Sequence, residues 1–200
     1  MKENKGTVFI KAAGMVLAMT LICGVFYTAV VTGASQLFFS DKANGSIIEI
    51  DGKKYGCELL AQEFTGEEYM WGRIMNVSAF TDQDGNTKMY SGPSNLSPKS
   101  EDYKELVEQR VEKIKAANPD VDTEKIPEDL VTCSGSGLDP DISVAAAEYQ
   151  VPRLAKANNM TEEEVEAIID SCTNHKILGV LGEETVNVLK VNLKLEGILS

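Results

Sequence analysis

An uncharged run near the start of the chain constrains everything downstream. From Ala12 to Val31 the sequence reads AAGMVLAMTLICGVFYTAVV, 20 residues without a charge. As a helix such a run spans about 30 Å, the thickness of a bilayer's hydrocarbon core. It continues uncharged to Leu37, Phe38 and Phe39. A cleaved secretory signal would have an apolar region of roughly 7–15 residues ending at a small-x-small site. Here Leu37-Phe38-Phe39 lies just beyond the small-residue cluster Gly33-Ala34-Ser35, so residues 12–39 read as a retained transmembrane helix. Lys2, Lys5 and Lys11 oppose only Glu3 ahead of the span, whereas Asp41 and Lys42 cancel just after it. Positive flanks stay on the cytoplasmic side. Residues 1–11 are therefore expected in the cytoplasm, and residues 40–200 outside the cell, as one small domain.

Charge narrows the function of that domain. Of 19 basic and 31 acidic residues, three Lys and one Glu precede Asp41, which leaves 16 and 30 beyond it, a net −14. Nucleic acid is excluded as a partner, because phosphate binding needs a dense cationic face. A single His, His175, leaves almost no room for Ser-His or Cys-His catalysis, and its place after a helical stretch suits it to the helix dipole. Cys57, Cys133 and Cys172 allow at most one disulfide, and nothing in their spacing demands it. Asp82, Asp84 and Asn86 resemble the start of a calcium loop. The required Gly and Glu positions hold Thr87 and Pro93, so a surface turn is expected instead.

Local patterns predict an α+β domain. Ser46–Ile50 and Lys54–Leu60 flank Asp51-Gly52, a dipeptide suited to a tight hairpin. Residues 62–98 carry turn formers throughout and read as irregular. Ser100 caps a helix with Glu101 and Asp102 in its first turn and an apolar stripe of Tyr103, Leu106, Val107, Val111 and Ile114; Asn118-Pro119 stops it. Residues 143–158 keep a helical stripe that Pro152 must kink or break. Thr161 with Glu164 forms a capping box for a further helix. Thr185–Leu195 alternates apolar and polar positions and reads as a strand with an irregularity near Leu189-Lys190, Asn192 and Lys194 facing out.

Two segments carry unusual composition. Gln62–Arg73 reads QEFTGEEYMWGR and places Phe64, Tyr69, Trp71 and Arg73 together between glycines. So many large side chains in so Gly-rich a segment either face a partner, since aromatics and Arg are the residues that dominate interfaces, or form a loop that packs on its own domain. Ser134–Pro140 reads SGSGLDP, which suits either a tight connection or close backbone approach to a ligand.

With SGPSNLSP at Ser91–Pro98, VTCSGSGLDPDISVAAAEYQVPRLA at Val131–Ala155 and LGVLGEETVNVLKVNLKL at Leu178–Leu195, these segments resemble the KdpC subunit family of the bacterial potassium-transporting P-type ATPase. The resemblance covers nearly the whole chain, with Pro93 and Cys133 standing where many members have Gly and Ala. It implies a non-catalytic accessory subunit that partners a channel-like potassium-translocating subunit (KdpA) and an ATP-hydrolysing subunit (KdpB). It also implies a chaperone role that raises the ATP affinity of the latter. ATP and potassium are thus implied for the complex, while no cofactor motif belongs to this chain. The phosphorylated Asp-Lys-Thr-Gly motif is absent, for Asp41-Lys42 continues with Ala43-Asn44. Carried over by matching position, the partner-facing candidates are Gln62, Phe64, Thr65, Gly66, Tyr69, Trp71, Gly72 and Arg73. Ser94, Asn95, Ser134, Gly135, Ser136, Gly137, Asp139, Gln150 and Arg153 join them, and membrane lipid surrounds the span. The rival classes are an anchored solute-binding or sensor domain, and an anchored hydrolase using Ser134 or Ser136. Protease added outside intact spheroplasts should digest the chain beyond about Asp41; protection of the Trp71 region would overturn this orientation.

Overall fold

The computed structural model describes residues 5–119, 121–122 and 125–199. The chain divides between Ser46 and Ile47 into two compact units. The first is dominated by helix α1 (Lys5–Phe38), 34 residues with a mean hydropathy of 2.1 over its most apolar window, long and apolar enough to cross a membrane. Thr20–Tyr27 within it adopts wider, π-type turns, and the Thr28 hydroxyl donates to the carbonyl of Cys23, five residues back, at 3.3 Å. Threonine can satisfy a carbonyl that such a turn displaces, which keeps the span free of bare polar groups.

The second unit is α+β. Strands β1 (Ile47–Ile50) and β2 (Lys53–Cys57) form an antiparallel hairpin. At its tip Asp51 and Gly52 have φ of 52° and 77°, both positive as a twist-matched two-residue turn requires. A second hairpin, β3 (Val77–Thr81) with β4 (Thr87–Ser91), lies where the sequence reads as irregular. Both strands are exposed over most of their length, so no in-out alternation marks them. Asp82 organises the loop between them: its carboxylate accepts from the backbone of Asp84 and Asn86 and pairs with Lys88 at 2.8 Å. The calcium-like run is thus a hairpin turn.

Helix α2 (Glu101–Ala117) begins as expected, the Ser100 hydroxyl accepting from the Tyr103 amide, and buries Ile114. Strand β5 (Asp141–Ser143) leads into α3 (Val144–Glu148), and α4 (Val151–Asn158) follows after Tyr149-Gln150. Pro152 sits in the first turn of α4, where its missing N–H costs nothing, so the stripe is broken rather than bent. Helix α5 (Glu162–Ser171) carries the full Thr161–Glu164 capping box. The short strands β6 (Thr173–Asn174) and β7 (Thr185–Asn187) complete a three-stranded antiparallel sheet in the order β5-β7-β6.

The C-terminal segment departs from the predicted strand. Only Thr185–Asn187 is extended; Val188–Leu195 is helix α6. Asn187 decides the switch, because its side-chain oxygen accepts from the Lys190 amide at 3.1 Å and caps the helix. Val188, Val191, Asn192 and Leu195 also fit a helical stripe, a period the alternating reading hid. Asn192, expected to face out, is 1% exposed. The core joins α3, α4, α5, β7 and α6 through Ala146, Leu154, Val165, Ile169, Val186 and Val191, with Met70 and Trp71 among them.

Candidate functional site

Met70 and Trp71 sit in a segment with no regular hydrogen-bonded partner strand, yet they are 0% and 8% exposed. Buried backbone N–H and C=O groups must be paired, so the segment needs donors and acceptors from elsewhere. Two side-chain carboxamides provide them. The Trp71 amide donates to Gln150 Oε1 at 2.8 Å, and Gln150 Nε2 donates to the Trp71 carbonyl at 3.0 Å. One residue earlier, the Met70 amide donates to Asn192 Oδ1 at 2.7 Å, and Asn192 Nδ2 donates to the Met70 carbonyl at 3.0 Å. Each carboxamide turns an N–H and its carbonyl oxygen, in one plane, toward the segment, as a peptide group in a sheet does. Gln150 and Asn192 therefore stand in for neighbouring strands.

Arg153, on the first turns of α4, extends the clamp. Its guanidinium donates to the carbonyls of Glu67 and Tyr69 and, at 2.7 Å, to Gln150 Oε1. Burial pushes its pKa down to about 10, still leaving it protonated at neutral pH. The guanidinium carbon lies 4.5 Å from the Trp71 ring centre and Lys113 Nζ 4.9 Å, and the ring nitrogen donates to the Gly66 carbonyl at 2.8 Å. Asn158 Nδ2 donates to the Glu68 carbonyl at 2.8 Å.

Arg73 pairs with Asp129 at 2.5 Å and approaches Asp139 at 3.9 Å, while the second Asp129 oxygen accepts from the Ser143 amide. Gln62 donates to the Tyr55 carbonyl at 3.1 Å, and Gly72 packs on Val188. The rings of Phe64 and Tyr69 lie 5.3 Å apart. Tyr69 donates to Glu196, and that bond to a carboxylate raises its pKa. Thr65 is exposed. The SGSGLDP run is a tight connection: Ser134 Oγ accepts from the Gly137 amide and Ser136 Oγ from that of Leu138. Gly137, at φ +69°, lies against Gly92, whose carbonyl oxygen would be 2.5 Å from an added Cβ. Exposed Gly135 leaves that turn open to solvent. Ser94 and Asn95 stand apart, forming their own turn with Asn95 at φ 54°.

For Trp71 the structure bears out the second reading of this segment, a loop packing on its own domain. Trp71 is core, because carboxamide partners permit a Gly-rich irregular segment to enter it. What remains open to solvent is a cleft of about 280 Å³ walled by Phe64, Trp71, Arg73, Arg110 and Lys113, with Glu63 also lining it. Three cations around aromatic walls can receive an anionic group; they do not assemble a nucleophile and base. The Ser134 and Ser136 hydroxyls bond each other and turn amides, with no His or carboxylate partner among the described residues. No cluster of three or more His, Cys, Asp or Glu there could hold a metal ion. Asn192, which the strand reading turned outward, and Asn158 are clamp residues, and Asp129 is the partner of Arg73; none was singled out as a site residue, and only Asn192 carried a signal, four residues after Val188 on a helical stripe.

A family profile described as "KdpC: K+-transporting ATPase, c chain" matches residues 9–197. The chain belongs to this family. Proteins named potassium-transporting ATPase KdpC subunit from two strains of Clostridium botulinum are 58% and 57% identical, over all of both chains in each case. One of the same name from Clostridium perfringens is 57% identical over 92% of this chain and 94% of its own. Family membership makes the chain an accessory membrane component of a potassium-transporting ATPase complex, with α1 as its candidate span.

The clamp predicts a specific cost. Gln150→Leu would leave the Trp71 N–H and C=O buried and unpaired, at about 1–3 kcal/mol for each group. Urea unfolding followed by Trp71, the one tryptophan in the chain, should show about 2–6 kcal/mol less stability and a red-shifted native emission. An unchanged midpoint would contradict the clamp.

Proposed function

We propose that this chain is the non-catalytic subunit that braces the transport complex from outside the membrane. In this reading α1 crosses the bilayer with its N-terminus in the cytoplasm, and the exported domain rests on the channel-like KdpA subunit at the potassium entrance. The chain then raises the ATP affinity of the KdpB subunit without binding nucleotide by a motif of its own. The observation that carries the reading is the Gln62–Arg73 clamp. It makes a rigid platform, bounded by a cationic aromatic cleft, out of a segment that has no catalytic grouping.

Nucleotide would lie in the cytoplasm and the folded domain outside, so coupling must run through α1 and the partner subunits. Such coupling is a free energy shared between sites, on the order of 1–3 kcal/mol. Among the described residues Ser134 and Ser136 bond each other and turn amides and no base, which favours this reading over a hydrolase. Complex purified with and without this chain gives the test. Without it, the ATP concentration for half-maximal potassium-stimulated hydrolysis should rise about fivefold or more. Equal ATP dependence in both preparations would refute the chaperone role.

A further inference from the structure

Arg73, Arg110 and Arg153 are all the arginines of the chain, and they gather at Trp71 or at the cleft it walls. Two of them have settled partners. Arg73 pairs with Asp129, and Arg153 is taken up by the backbone carbonyls of the clamp. Arg110 differs from both. Its half-buried guanidinium donates to the Val131 carbonyl at 2.9 Å, and burial lowers its pKa. Lys113, one turn further along α2, holds its ammonium 4.9 Å from the Trp71 ring centre. Among the described residues neither cation has a carboxylate within ion-pair distance.

The sequence of α2 keeps acids away from this pair. Side chains three and four positions apart are neighbours on a helix. No acidic residue stands at those spacings from Arg110 or Lys113, although the helix carries Glu101, Asp102, Glu105, Glu108 and Glu112. The two cations instead neighbour each other, three positions apart, which by itself disfavours the helix. A half-buried charge is costly unless it is paired, and in a domain of net −14 the described residues supply no counter-ion here. The rest of the lining sets the character of the anion that would fit. Phe64, Trp71, Ile74, Ile114 and Leu130 are apolar walls, and Glu63 disfavours a second negative charge. At about 280 Å³ the cleft admits a compact group rather than a drug-sized one.

We propose that this cleft is a binding site for a small free carboxylate with an apolar body. Arg110 and Lys113 hold the carboxylate, and the body rests against Trp71 and Phe64. A charge-assisted bond to a guanidinium fixes the head, while the apolar walls reject an anion that has no body to bury. The site belongs to this chain alone, so it stands apart from the reading that the chain braces partner subunits.

The test titrates the full chain in detergent with butyrate and follows the emission of Trp71, which walls the cleft. Butyrate should give a saturable change. Butyramide, the neutral amide of the same shape, and inorganic phosphate, which lacks the apolar body, should each need about tenfold more or beyond. Arg110→Met and Lys113→Met should each weaken butyrate about tenfold. Glu63→Gln should tighten it about two- to fivefold, because a repelling charge is removed. Glu63 is exposed, so this variant decides the matter even where the cationic variants fail to melt as folded protein. No saturable change with butyrate would overturn the site. So would butyramide or phosphate binding as tightly as butyrate, or butyrate affinity that Glu63→Gln leaves unmoved or weakens.

Discussion

Four hydrogen bonds from two buried carboxamides hold the fold of the second unit together. Gln150 and Asn192 each grip both backbone groups of one residue, Trp71 and Met70, and they do so from α6 and from the turn that opens α4. Without them the peptide groups flanking these two side chains would enter the core unpaired, and the Gly-rich segment would stay in water. With them, the Met70 and Trp71 side chains close the core, and Arg153 ties the carbonyls of Glu67 and Tyr69 onto the same scaffold. The cleft, the Trp71 cation contacts and the Arg73–Asp129 pair all follow from that placement.

Where the chain signals structure through local chemistry, the sequence is readable. Asp51-Gly52, Ser100 and Thr161–Glu164 act within a few residues of themselves, and each forms the turn or cap its residue type favours. The α+β class and the N-terminal apolar helix were legible for the same reason. Val188–Leu195 was not, because its apolar residues satisfy both a two-residue and a helical period, and the cap at Asn187 tips the balance. The β3-β4 hairpin escaped because it is exposed on both faces.

The candidate site was legible as a set of segments but not as a geometry. Gln62–Arg73, Gln150 and Arg153 do come together, at sequence separations of about 80 residues. Their grouping is a clamp that buries Trp71, which residue types alone could not distinguish from an exposed aromatic patch. Glycine at 137 serves likewise within the fold, where the Gly92 carbonyl leaves no space for a side chain.

If the carboxamide clamp is what organises this domain, the backbone amides of Met70 and Trp71 must open only when the domain unfolds. Native-state hydrogen exchange resolved at single residues measures this directly. The account predicts that both amides exchange as slowly as those of Leu154 and Ile169 in the core helices, and far more slowly than that of exposed Thr65. Exchange of the Met70 and Trp71 amides at the rate of Thr65 would contradict it.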